Sequence, residues 1–254
     1  MKRLLCTTLL LCMLVSLTGC QRGKPGPEFP LSEEALMQEV AAAGLSWVLS
    51  EEESQSYTEG HTSLVLRDPE AAYTEEYESM RLCASVSSAM VEGERLLFLI
   101  FDSYPVSTNG GKTPFPFAWE DWESQLLFAA RLYGGFADEA ALYQAFAAQS
   151  VPADTPYFAY EAWFPHAYCR ISYQTRDTRV EHTFPEAVAL EQSALLRVNL
   201  YPSEALYQKR QAEAEASMAE WERARTDAAL RERLIEELEE RRAVQEQRRA
   251  ELFD

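Results

Sequence analysis

Basic residues, histidine and cysteine are all scarce in this chain: 23 Lys and Arg stand against 41 Asp and Glu, with three histidines and five cysteines in 254 residues. The formal net charge is −18, and it is concentrated in residues 21–203, where 11 basic residues meet 27 acidic ones. Such a body repels phosphate backbones and anionic headgroups, so no nucleic-acid partner is expected. The acidity itself is read as a solubility device. His61, His166 and His182 fall in separate regions, and the His166/Cys169 spacing lacks the second pair that a tetrahedral zinc site needs. No G-x-S-x-G elbow, H-E-x-x-H helix or calcium loop of alternating aspartates occurs. Asn109-Gly110-Gly111-Lys112-Thr113 resembles the end of a phosphate loop, but Val106 stands where the first glycine is required and Pro114 blocks the following helix. It is read as a turn. Neither a metal nor a cofactor is expected.

Long apolar runs are absent too. The longest begins after Met1-Lys2-Arg3 and covers Leu4 to Leu17, fourteen uncharged residues. That is short of the ~20 needed to cross a bilayer and matches the apolar region of a secretory signal. It ends in Leu17-Thr18-Gly19-Cys20, after which Gln21 to Pro30 is rich in Pro and Gly. Leu17-Thr18-Gly19-Cys20 resembles the bacterial lipobox. The resemblance covers residues 1–20 only and implies that residues 1–19 are removed, that Cys20 becomes a lipid-bearing N-terminus, and that residues 20–30 form a flexible linker. The expected location is extracytoplasmic, at the cell membrane. Two acyl chains suffice for stable anchoring, at about 0.8 kcal/mol per buried methylene.

With Cys6, Cys12 and Cys20 so assigned, Cys83 and Cys169 remain. In an exported chain these two could form a disulfide, or both could serve as small buried core residues.

Beyond the linker the pattern is α+β: antiparallel sheet with packed helices. Ser32 is a usable N-cap for a helix to Ala43, stopped at Gly44. Period-two segments follow at Leu45–Leu49, His61–Arg67, Met80–Ala89 and Arg95–Tyr104, the last carrying Leu96-Leu97-Phe98-Leu99-Ile100-Phe101. A Pro- and Phe-rich connection leads to helices over Asp121–Tyr133 and Asp138–Ala148, the second capped by its aspartate. Strands then recur at Tyr157–Phe164, Ala167–Tyr173 and Ala194–Leu200. "CASVS" at Cys83 and "CRISY" at Cys169 fall at matching points, each ahead of a Leu-Leu strand. The expectation is two similar lobes, 31–104 and 120–202, joined by 105–119. If their cysteine strands lie side by side, a disulfide can form within its ~7 Å Cα limit.

Residues 203–254 contain neither Gly nor Pro and predict one long charged helix, about 75 Å if unbroken, braced by pairs such as Asp227/Arg231 and Glu237/Arg241. A coiled coil fits poorly, since the best heptad register puts Arg231, Arg242 and Gln245 in the seam. The segment is read as a solvated helix docked through Met218, Trp221 and Leu234, with oligomer formation or a partner helix as the alternative.

Aromatics supply the remaining lead. Phe115, Phe117 and Trp119 in the connection, with Trp163 on a strand, could present a binding surface for a sugar or peptide, or could pack the lobes together. The expected role is binding or protein interaction rather than catalysis, with an unidentified protein or envelope polymer as partner. The alternatives are a hydrolase of envelope polymer, its carboxylates 5–10 Å apart in a cleft, and a scaffold or regulator acting through residues 204–254.

Overall fold

A computed structural model describes residues 24–50, 55–58, 61–67, 82–103, 117–152, 154–181 and 188–253. The architecture is α+β. Its strands are β1 (Val48–Leu49), β2 (Gln55–Thr58), β3 (His61–Arg67), β4 (Leu82–Val91), β5 (Glu94–Ser103), β6 (Tyr157–Phe164), β7 (Ala167–Glu181) and β8 (Val188–Tyr201). All join one antiparallel sheet in the order β1-β3-β4-β5-β8-β7-β6, with β2 beside β1 on the outer edge of β3. The helices are α1 (Glu33–Ala42), α2 (Glu123–Tyr133), α3 (Ala141–Ala147), α4 (Glu204–Ala224) and α5 (Ala228–Phe253), with a 3-10 turn at Trp119–Trp122.

A run of three consecutive antiparallel strands occurs twice along the chain, as β3-β4-β5 and β6-β7-β8, with β1 and β2 interposed between α1 and the first run. The two triplets meet through β5 and β8, the strands that carry Leu96-Leu97 and Leu195-Leu196. One core runs through both halves: Leu64, Val86 and Leu99 belong to the same buried cluster as Ile171, Leu196 and Leu126 of α2. The strand alternation explains it. Leu97, Leu99 and Phe101 of β5 and Leu196, Val198 and Leu200 of β8 all turn to the face covered by α1, α2 and α3.

Local signals set the boundaries. Ser32 Oγ accepts the Ala35 N–H at 3.1 Å at the start of α1, and Gly44, at φ +70°, ends it. Leu36 and Val40 fix its buried face, each contributing about 1.5–3 kcal/mol. Glu92 and Gly93, both at positive φ, make the two-residue turn between β4 and β5 that such tight hairpins require. The helix expected from Asp138 instead starts at Ala141 and has no side-chain cap.

The cysteine strands are the middle strands of their triplets, with β5 and β8 between them. Three strand spacings separate them by about 14 Å, twice the disulfide limit. The pairing considered for Cys83 and Cys169 is therefore corrected, and Cys169 is a free, buried thiol. A continuous sheet exists, yet its centre is built from the Leu-Leu strands rather than the cysteine strands.

The tail is also corrected from one helix to two. The break falls at Arg225-Thr226-Asp227, where Asp227 Oδ1 accepts the Leu230 N–H at 3.1 Å and starts α5. The expected Asp227/Arg231 pairing gives way to this cap, and Glu237 faces Arg233 at 3.6 Å. Arg233 also bonds Glu220 at 2.8 Å. These residues are thirteen positions apart, about 20 Å along a straight helix, so α5 folds back on α4.

Candidate functional site

The aromatic surface proposed from sequence divides three ways. Phe117 and Trp119 are buried, Phe117 stacking edge-on against Trp119, Phe158 and Tyr173 at 4.7–4.8 Å between ring centres. Trp119 Nε1 donates to the Gln149 carbonyl at 3.0 Å. These rings build core, each pair adding about 0.5–1.5 kcal/mol beyond area burial, so they are withdrawn as binding residues. Trp163, 54% exposed, stands on edge strand β6 and faces away from them. Phe115 and Cys20 lie outside the described residues, as do the 109–113 turn and His182.

The concave feature of the fold lies at the end of the sheet where its hairpins turn. There the β4–β5 turn, the Pro165-His166 turn between β6 and β7, and Pro202 after β8 come level with one another. The Gly134-Gly135-Phe136 connection after α2 closes one side, and the strap Pro25–Phe29 closes another. The half-open cleft measures about 1070 Å³. Prolines at 25, 27, 165 and 202, with Met90 and Phe164, make its walls predominantly apolar.

The strap is held by backbone geometry. Pro25 bridges Gly134, the Gly135 N–H donates to the Lys24 carbonyl at 2.8 Å, and Leu31 N–H donates to the buried Ser88 Oγ at 2.8 Å. Glycine is required on both sides. A Cβ on Gly26 would lie 2.8 Å from the Leu132 carbonyl oxygen, and one on Gly135 would lie 2.6 Å from His166 Nε2.

Two groups give the cavity polarity. Arg95 Nη1 donates to the Tyr133 carbonyl at 3.1 Å, capping the C-terminal end of α2, and its guanidinium lies 5.6 Å over the Phe29 ring. That bond uses one of five N–H donors, and no carboxylate comes within ion-pair distance of Arg95 among the described residues. The His166 ring stacks edge-on to Phe136 at 5.4 Å, with Nε2 buried and without a hydrogen-bond partner. Burial holds the His166 pKa down, with the Gly134 backbone opposing it and the Arg95 charge assisting. The ring is neutral near pH 7. Glu28 and Glu94 stand exposed at the rim.

A second cavity, about 640 Å³, lies beyond the same Gly134–Ala137 wall. Its carboxylates converge on a cation: Arg131 bonds Glu39 through Nε and Glu139 through Nη1. Both carboxylates are committed to one guanidinium. Among the described residues, no three His, Cys, Asp or Glu side chains gather as metal ligands.

On the opposite face of the sheet Glu161 receives hydrogen bonds from the Tyr168 and Tyr207 hydroxyls, and Arg170 donates to Tyr207 at 3.1 Å. This network fastens the first turn of α4, with Leu206 and Tyr207 buried against Tyr201 and Leu96.

Sequence reasoning passed over Arg95, Gly134 and the strap. The signal present was a lone Arg at the head of the most apolar strand and a Gly-Gly pair after a helix, both of which have ordinary readings as edge charge and helix stop. From sequence Pro25–Phe29 reads as linker because Pro and Gly disfavour a helix; in the fold it lies against the body, bridged to Gly134 at Pro25. No protein-family model, curated protein or solved structure matches the chain.

Proposed function

We propose that this chain is a lipid-anchored extracytoplasmic binding protein that receives a small apolar molecule in the 1070 Å³ cavity beside its N-terminal strap. The observation that carries this reading is the wall composition. A half-open cleft of that size, walled by prolines, phenylalanines and glycine backbone and carrying a guanidinium with no carboxylate partner among the described residues, suits apolar matter with one oriented polar end. The anchor half of the reading rests on Leu17-Thr18-Gly19-Cys20. Anchoring and cavity are joined through the strap: Lys24, four residues after Cys20, is already bonded to the body, which keeps the cavity within about 14 Å of the modified residue.

The test uses full-length protein from host membranes. Native mass spectrometry of the wild type should release a bound small molecule, and Ala137→Trp, at an exposed position on the cavity wall, should abolish it. Cys20→Ser should leave an unprocessed precursor that takes no palmitate label. Absence of any released molecule from wild type refutes the binding role, whereas normal processing of Cys20→Ser refutes the anchor.

A further inference from the structure

The cavity has a chemistry more specific than apolar. Its walls are hydrocarbon, and its one half-buried cation, Arg95, spends a single donor on a backbone carbonyl while the Phe29 ring shields one face. A guanidinium with open donors in an apolar enclosure is a recognition element for a planar anion, which it can hold through two parallel N–H bonds. The charges around it set the valence of that anion. Among the described residues Arg95 is the only Lys or Arg on the wall, with Glu28 and Glu94 at the rim and burial disfavouring the charged form of His166, inside a body that is strongly acidic. A dianionic phosphate would face two carboxylates and one cation, whereas a monoanion needs only Arg95.

Resting on the binding reading above, we propose that the cavity takes a long-chain aliphatic carboxylic acid, the chain along the proline and phenylalanine walls and the carboxylate on the Arg95 guanidinium. Both ends of such a ligand are matched: the chain leaves water at about 0.8 kcal/mol per methylene, and the carboxylate gains a charge-assisted pair away from bulk solvent. The location supplies it. A cavity held within about 14 Å of a lipid-bearing residue samples the membrane surface, where aliphatic acids concentrate. The anchor's own acyl chains carry no free carboxylate, so occupancy by them would make no use of Arg95.

The test uses full-length lipidated protein in phosphatidylcholine vesicles, irradiated with a diazirine analogue of palmitic acid or with the matched diazirine hexadecanol. The acid should label peptides spanning residues 25–29 and 164–166 about tenfold more than the alcohol. Arg95→Gln should remove that preference and Arg95→Lys should keep most of it. Because Arg95 also caps α2, competition on wild-type protein with unlabelled palmitate against unlabelled hexadecanol gives the same answer without a variant. Equal labelling by acid and alcohol overturns the carboxylate assignment and leaves the binding role standing. If neither probe labels the cavity, both fall. An unchanged preference in a folded Arg95→Gln protein shows that Arg95 is a helix cap only and overturns the proposal.

Discussion

Gly134 and Gly26 touch backbone to backbone: a Cβ on Gly134 would fall 1.9 Å from the Gly26 amide nitrogen and 2.5 Å from its Cα. Gly134 also sits at φ +73°, ψ 171°, a conformation in which only glycine is unstrained. The strap therefore closes over the cavity only because neither residue has a side chain. Gly134→Ala should displace the strap and cost about 3 kcal/mol, lowering the melting point by roughly 6–12 °C. Endoproteinase Glu-C should then cut after Glu28 in the variant well before it cuts there in the folded wild type. Equal cleavage and an unchanged melting point would show that the strap contact contributes nothing.

The class of the fold was legible because its elements announce themselves locally. His61–Arg67 carries a short β-branched and apolar run, Tyr157–Phe164 presents alternate residues to opposite faces, and Ser32 and Gly44 punctuate α1 on both sides. What could not be read was decided at long range. Whether the two Leu-Leu strands or the two cysteine strands pair is a question of which faces find each other, and both share one hydrophobic pattern. The tail break was written at Thr226-Asp227 but masked by strong helix formers on either side. The cavity escaped notice because its walls come from five separate segments, each unremarkable alone, and because Pro25–Phe29 reads as linker until the Gly134 backbone is placed beside it.

Tyr173 is wholly buried among Phe117, Phe158 and Trp122, and its hydroxyl has no hydrogen-bond partner among the described residues. Burial, with Asp121 nearby, pushes its pKa up to about 12, from an ordinary value near 10. A raised folded-state pKa means that the unfolded chain ionises first, so stability is full below pH 10 and is lost as pH rises through about 12. Tyr201 behaves alike, its pKa raised to about 12 chiefly by burial. Tyr173→Phe should leave stability at pH 8 unchanged or higher, since it deletes an unsatisfied hydroxyl. It should also flatten the fall in urea midpoint between pH 10 and 12. A steeper alkaline fall in the variant would contradict this account.

Cys169 lies on the core face of β7 with no exposed surface, and burial pushes its thiol pKa well above the ordinary value. Since β5 and β8 stand between the cysteine strands, Cys83 and Cys169 do not reach each other. In mature protein unfolded without reductant, a thiol assay should count two per chain. In the native protein, Cys169 should resist alkylation at pH 8 until global unfolding exposes it. A count of zero would mean that the strands pair differently from the order seen.

The tail is two structures in energetic terms, and the boundary falls inside α4 rather than at its start. Leu206 and Tyr207, in the first turn, are buried on Leu96, Tyr168 and Tyr201, and Tyr207 completes the hydrogen bonding of Glu161 and Arg170. Further along, Met218, Trp221, Ile235 and Leu238 are substantially exposed, and the ion pairs Arg225/Glu222 and Arg233/Glu237 are surface pairs worth little. A chain ending after Thr226 should therefore melt within about 2–3 °C of the full protein, having lost little beyond Leu234 and the contact of α5 with β2. A chain ending after Pro202 also removes the buried Leu206, Tyr207 and Ala224 and leaves Glu161 facing Arg170 without the Tyr207 hydroxyl. The expected cost is about 4 kcal/mol, a fall of roughly 10 °C. Limited proteolysis gives the same contrast without a variant: cuts near Arg223 and Arg225 should appear early, and cuts at Lys209 or Arg210 only as the body unfolds. If both truncations melt alike, the Tyr207 network is decorative and α4 leaves the body at Ser203.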